Sequence, residues 1–178
     1  MFIVLHVNEK LQPKHRFSLE DYIEEVLEKN CLGEVTGGGT LMEKNGEVNS
    51  CDIDIELSDE APDALERFKK FIGDLNIAKG SALKIADSDD IPVGKFEGMG
   101  LYLSNDLPDE VYENNDINDL LSRLREAIGE AGDLRSWCEK EFTALYYYGD
   151  SFDEMSGLAK PVLDSHPLGK DCEVVRLA

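Results

Sequence analysis

Basic residues are what this chain is short of. Lys and Arg number 18 against 38 Asp and Glu, a formal charge of −20 on 178 residues. A surface of that sign repels nucleic-acid phosphates and anionic lipid, so neither nucleic acid nor a membrane is an expected partner. Long apolar runs are missing as well, since no stretch approaches the roughly 20 residues that a bilayer-spanning helix requires. Met1 to Val7 is apolar but short, has no basic leader and is followed by charge, so it reads as a first strand and not as a signal peptide. Cysteine is sparse. Cys31, Cys51, Cys138 and Cys172 contain no Cys-x-x-Cys spacing, which leaves a zinc ribbon or a thioredoxin-type redox site without support. Reduced, mostly buried thiols in a cytoplasmic protein are the expectation.

What is present is a core-forming composition with acid spread evenly over it. Hydrophobic residues make up 42 %, which argues against disorder despite the charge. Residues 1–90 hold 10 basic and 20 acidic groups, and residues 91–178 hold 8 and 18, so each half carries −10 and no detachable tail accounts for the total. The natural macromolecular partner of such a surface is basic.

The hydrophobic pattern runs through the same order of elements twice. Residues 2–7 form a continuous apolar run, the mark of a strand covered on both faces or central in a sheet. Ser18, with Asp21 three positions on, predicts a helix start, and Leu19, Tyr22, Ile23, Val26 and Leu27 follow at helical spacing to Gly33. Asn45-Gly46 is a two-residue hairpin signal. The segment from Cys51 to Leu57 alternates strictly and predicts a strand. Ser58 predicts a second helix whose inner face is Ala61, Leu65, Phe68, Ile72 and Leu75, and a short strand follows near 81–86.

Asp87 to Pro92 reads as a linker. Beyond it come a strand over 98–104 and a helix lined by Ile117, Leu120, Leu121, Leu124 and Ile128. A hairpin over 134–138 and 141–148 turns near Glu139-Lys140. Ser151 and Glu154 box the start of a last helix carrying Met155, Leu158, Ala159 and Val162, which Pro161 should kink or end early. A strand over 172–177 closes the chain. Counterparts lie about 90 to 98 positions apart, given element ends uncertain by a few residues. The prediction is an α+β protein of tandem ferredoxin-like (βαββαβ) halves with antiparallel sheets, residues 1–88 and 94–178, packed as one compact unit.

Candidate binding residues come from the first hairpin. Counting outward from a two-residue turn, Gly39 faces Asp52 and Gly37 faces Asp54. Alternation then puts Asp52, Asp54 and Glu56 on one face and Cys51, Ile53, Ile55 and Leu57 on the other. Three carboxylates border the stripe Gly37, Gly38 and Gly39, where the absence of side chains admits another chain. Such acids hold Arg or Lys through charge-assisted hydrogen bonds. Trp137 and Tyr147, on the second hairpin, are the aromatic candidates, because Trp and Tyr are enriched at interface centres.

Catalytic patterns are weak. Gly37-Gly38-Gly39-Thr40 lacks the Lys-Ser or Lys-Thr and the helix of a phosphate loop. Gly98 and Gly100 resemble half a dinucleotide fingerprint but precede a strand instead of following one. His6, His15 and His166 show no defined relation to a Cys or Ser, and 38 carboxylates make any acid pair uninformative. No catalytic residue, metal ligand or cofactor is therefore expected. The expected function is that of an acidic, non-enzymatic module that binds and occludes a basic protein, such as an inhibitor or immunity protein against a cationic toxin or nuclease. The alternative is a regulatory module that binds a small ligand in a cleft between the halves, bordered by Gly37–Gly39 or Gly98–Gly100.

Overall fold

A computed structural model describes residues 1–58 and 63–178. The chain divides into two units, Met1–Lys95 and Phe96–Ala178. In the first, the elements are β1 (Phe2–Val7), α1 (Pro13–Lys29), β2 (Gly33–Met42), β3 (Val48–Leu57), α2 (Ala64–Asp74), β4 (Ala82–Lys84) and β5 (Ile91–Pro92). Their sheet runs β2-β3-β1-β4-β5 and every pairing is antiparallel. A βαββαβ chain whose four main strands lie in the order 2-3-1-4 is ferredoxin-like. The second unit holds β6 (Glu97–Leu103), α3 (Asp109–Asn114), α4 (Ile117–Ile128), β7 (Asp133–Glu139), β8 (Thr143–Gly149), α5 (Phe152–Ser165) and β9 (Glu173–Arg176). Its sheet order, β7-β8-β6-β9, is the same arrangement. The predicted α+β class and the doubled ferredoxin-like topology are both present.

One face of each sheet carries the core. Ile3, Leu5 and Val7 of β1, and Cys51, Ile53, Ile55 and Leu57 of β3, are buried with Ile23 and Leu27 of α1 and Phe68 and Ile72 of α2. In the second unit, Met99, Leu101, Leu145 and Tyr147 are buried with Leu120, Leu124 and Ile128 of α4 and Met155, Ala159 and Leu163 of α5. Each large apolar side chain so buried contributes about 1.5–3 kcal/mol before the entropy of ordering is subtracted.

Local starts and stops depart from the sequence pattern in instructive ways. Helix α1 begins at Pro13, five residues before Ser18, and its cap Gln12 makes no side-chain hydrogen bond. Proline suits the first helical position because the N–H it lacks would have had no partner there. Ser18 sits one turn inside and its hydroxyl donates back to the Lys14 carbonyl at 3.3 Å. Pro161 lies inside α5 without ending it, because the buried stripe Met155, Ala159 and Leu163 spans the proline and holds both sides to the core. Ser151 caps α5 as its sequence predicts, accepting from the Glu154 N–H at 3.2 Å. Ile91 and Pro92, expected in a linker, pair with Leu83 and Ala82 as an edge strand. Asp109, Glu110 and Glu113 lie on the short helix α3. Ala61, assigned to the inner face of the second helix, lies outside the described residues.

Candidate functional site

The hairpin β2–β3 sets the geometry. Its turn is Lys44-Asn45-Gly46, a three-residue loop, with Gly46 at φ 81° and its N–H donating to the Glu43 carbonyl at 2.9 Å. A loop one residue longer than two should shift the register. A bulge between Leu41 and Met42 shifts it back, so Gly39 faces Asp52 and Gly37 faces Asp54, as counted from the sequence. A second bulge between Val35 and Gly37 changes the register again toward the strand end.

Asp52, Asp54 and Glu56 therefore point away from the helices, while Cys51, Ile53, Ile55 and Leu57 are buried beneath them. Antiparallel pairing places Phe2, Val4 and His6 of β1 opposite Glu56, Asp54 and Asp52 in turn. Lys84 of β4 stands opposite Val4 on the far side. The apolar run 2–7 is central in its sheet, one of the two readings of the sequence, but His6 is not buried: it is partly exposed on this open face, because β1 alternates between buried and accessible positions. Its Nδ1 donates to Asp52 Oδ1 at 2.7 Å, which fixes that carboxylate while leaving 47 % of the Asp52 side chain exposed. Phe2 and Leu41, 55 % and 60 % exposed, add apolar surface at the two ends of the acidic row. The face is thus a band of carboxylates between two exposed hydrophobic side chains, with a hollow of about 410 Å³ bordered by His6, Gly39, Leu41, Asp52 and Lys84.

The three glycines divide by face. A Cβ added at Gly39 would meet nothing within 4 Å, and one at Gly37 would only reach Asp54 Oδ2 at 3.5 Å. Both border the open face. Gly38 faces the helices, where an added Cβ would lie 2.3 Å from Glu20 Oε1 and 2.7 Å from the Asp52 carbonyl oxygen. Its role is to let α1 approach. Glu20 pairs there with Arg16 Nε at 3.0 Å, and Arg16 Nη1 donates to Thr40 Oγ1 at 3.0 Å. Burial pushes the Glu20 carboxyl above its usual range, against the opposing pull of Arg16. Glu24 accepts from the Val35 N–H, tying the same helix to the edge strand β2.

The aromatic candidates lie elsewhere. Tyr147 is 2 % exposed and belongs to the second core, and Trp137 packs against that core from a half-buried position. Tyr147 thus presents no free ring to a partner. Gly98 and Gly100 make room for rings: an added Cβ would come within 2.9 Å of Tyr148 at the first and 2.8 Å of Tyr102 at the second.

Cysteine and histidine do not assemble a nucleophilic site among the described residues. Cys51 lies on the opposite sheet face from His6, and burial holds its thiol up to about 12. Burial likewise pushes Cys172 up to about 11. His166 is buried, accepts from the Leu168 N–H at 3.2 Å and lies 3.3 Å from an Asp119 carboxylate oxygen, a local structural role. All four cysteines are free. Among the described residues no group of His, Cys, Asp and Glu is arranged to hold a metal ion, and no helix is long and apolar enough to cross a membrane.

No protein family and no curated protein matches the chain. Two of the solved structures similar to it cover most of its length. One is the ligand-free regulatory subunit of aspartate kinase from Thermus thermophilus, at 8 % identity and a TM-score of 0.28 over 93 % of this chain and 92 % of that one. The other is the first two RRM domains of yeast poly(U) binding protein, at 14 % identity and 0.26 over 99 % of both. Scores this low carry no argument, and the ferredoxin-like assignment rests on the strand orders given above.

Proposed function

We propose that the protein binds a basic partner protein on the open face of its first sheet and occludes it. The observation that supports this reading is the row Asp52, Asp54 and Glu56, outward-facing on a rigid strand, beside glycines that add no steric cover. Carboxylates on such a strand accept charge-assisted hydrogen bonds from Arg and Lys, and Phe2 and Leu41 supply apolar contact at either end. The charge of −20 raises the encounter rate with a cationic surface and weakens with salt. An inhibitor or immunity-type protein directed at a cationic nuclease or toxin is the concrete form of this function, with no chemistry demanded of the module itself.

Capture from lysate by the tagged full chain, at low and moderate salt, tests the reading. The wild type and a control with three exposed acids of α1 neutralised (Asp21→Asn, Glu25→Gln, Glu28→Gln) should retain the same basic protein. The face variant Asp52→Asn, Asp54→Asn, Glu56→Gln should lose it. Retention by the face variant, or no salt-sensitive basic protein in repeated captures, refutes the assignment.

A further inference from the structure

The second unit contains a cavity that the docking face does not use. Helix α4 leaves a groove against β7, the edge strand of its sheet, and the space is about 660 Å³, within the range of small-molecule sites. Leu121, Ser122 and Arg125 border it from α4, Asp133 and Leu134 from β7, and Tyr147 from β8.

Two of these groups offer polar atoms to the groove that no other described residue engages. Tyr147 is 2 % exposed, yet its hydroxyl has no hydrogen-bond partner among the described residues. The hydroxyl keeps a little exposure to the groove, where an acceptor can reach it. Burial alone pushes this phenol up to about 12, so it remains a donor at neutral pH. Arg125 is exposed and has no ion-pair partner among the described residues, so its guanidinium is available at the groove. Its planar guanidinium matches a carboxylate in a bidentate geometry. Leu121 and Leu134 supply apolar surface. Asp133, the one acid of the lining, opposes any second negative charge on a ligand.

We propose that this groove binds a small monocarboxylate whose apolar body ends in a hydrogen-bond acceptor. Arg125 holds the carboxylate, Leu121 and Leu134 flank the body, and the Tyr147 hydroxyl donates to the acceptor. The site lies wholly within the second unit, and it stands whether or not the first sheet binds a basic protein.

Three probes read the two polar contacts separately: 4-acetylphenylacetate, phenylacetate without the acceptor, and the methyl ester of the first, without the charge. Binding to the full chain is followed by amide chemical-shift changes in two-dimensional NMR. The keto acid should move resonances of residues 118–134 and 147. Arg125→Gln should weaken it roughly tenfold or more, in line with loss of a charge-assisted contact, and the ester should be weak on both proteins. Tyr147→Phe should lower affinity for the keto acid several-fold while leaving phenylacetate unchanged. It should also keep or raise the urea midpoint, because the deleted hydroxyl has no partner. No shifts at millimolar probe, equal affinity for Arg125→Gln, or equal effects of Tyr147→Phe on both acids each overturn the proposal. A clear fall in the urea midpoint of Tyr147→Phe overturns it too, since the hydroxyl would then be engaged in the fold.

Discussion

Adjacent glycines on β2 should respond to the same substitution with opposite signs. In Gly38→Ala the new methyl would sit 2.3 Å from Glu20 Oε1 and 2.7 Å from the Asp52 carbonyl oxygen. The carboxylate can swing aside only by disturbing its 3.0 Å pairing with Arg16. The carbonyl belongs to the neighbouring strand and can yield only if the β2–β3 ladder opens. Overpacking of this kind costs about 1–3 kcal/mol. In Gly39→Ala the methyl meets nothing within 4 Å, and neither glycine has a positive φ. The reduced freedom of the unfolded chain should then stabilise the fold by about 0.4–1 kcal/mol. With a urea dependence of about 2 kcal/mol/M, the two midpoints should separate by about 1 M, on either side of wild type. Urea titration of the three proteins followed by circular dichroism decides the matter. Equal midpoints, or Gly38→Ala the more stable, would refute the packing of α1 against the glycine stripe.

Thiol titration should find Cys31 reactive in the native protein and Cys51 and Cys138 protected until unfolding, because the first is exposed and the other two are buried. Stability should fall as pH rises from about 9 toward 12. Cys51 and Tyr147 are both held up to about 12 in the fold by burial, so above their ordinary values of 9 and 10 the unfolded chain gives up protons that the folded chain retains. Cys51→Ala should flatten the lower part of that decline, measured as urea midpoints across the alkaline range, and an unchanged slope would count against burial as the cause. Phe68→Ala, which empties a fully buried position under the first sheet, should cost about 3–5 kcal/mol by the same titration.

The hydrophobic pattern made the doubled βαββαβ order legible because strand and helix periods are local properties of the chain. The face of β3 was legible for the same reason. The cross-strand register came out as counted only because two departures cancel: the turn has one residue more than Asn45-Gly46 implies, and the bulge at Leu41/Met42 takes one back. His6 beside Asp52 was missed because an apolar run does not tell a strand covered on both faces from one that is central in a sheet with one face open, which is what β1 is. The polar side chain in the middle of that run was the available signal. Tyr147 and Trp137 show the converse limit, since three consecutive tyrosines do not reveal which sheet face the helices will cover.

The two units share a topology but use their sheets differently, and that difference supports the choice of the first sheet as the proposed docking face. In the first, the side away from the helices carries His6, Asp52, Asp54 and Glu56, none of them fully buried. In the second, the equivalent side carries Gly98, Gly100, Ser136, Tyr146 and Tyr148, all buried. There Leu177 lies against the glycines, Phe142 against Tyr102, and Arg135 stacks near Tyr148 and Phe96. A sheet face filled with its own aromatic side chains has no room for a partner chain. A face bordered by glycine and carboxylate does, and it cannot be closed by hydrophobic packing without burying charge. Under the proposed function the even spread of acid conceals an uneven division of labour: negative potential throughout the molecule would steer encounter, while among the described residues the first sheet is the one that aligns carboxylates beside an open backbone. Neutralising acids away from that face should therefore slow association, and neutralising Asp52 and Asp54 should speed dissociation as well.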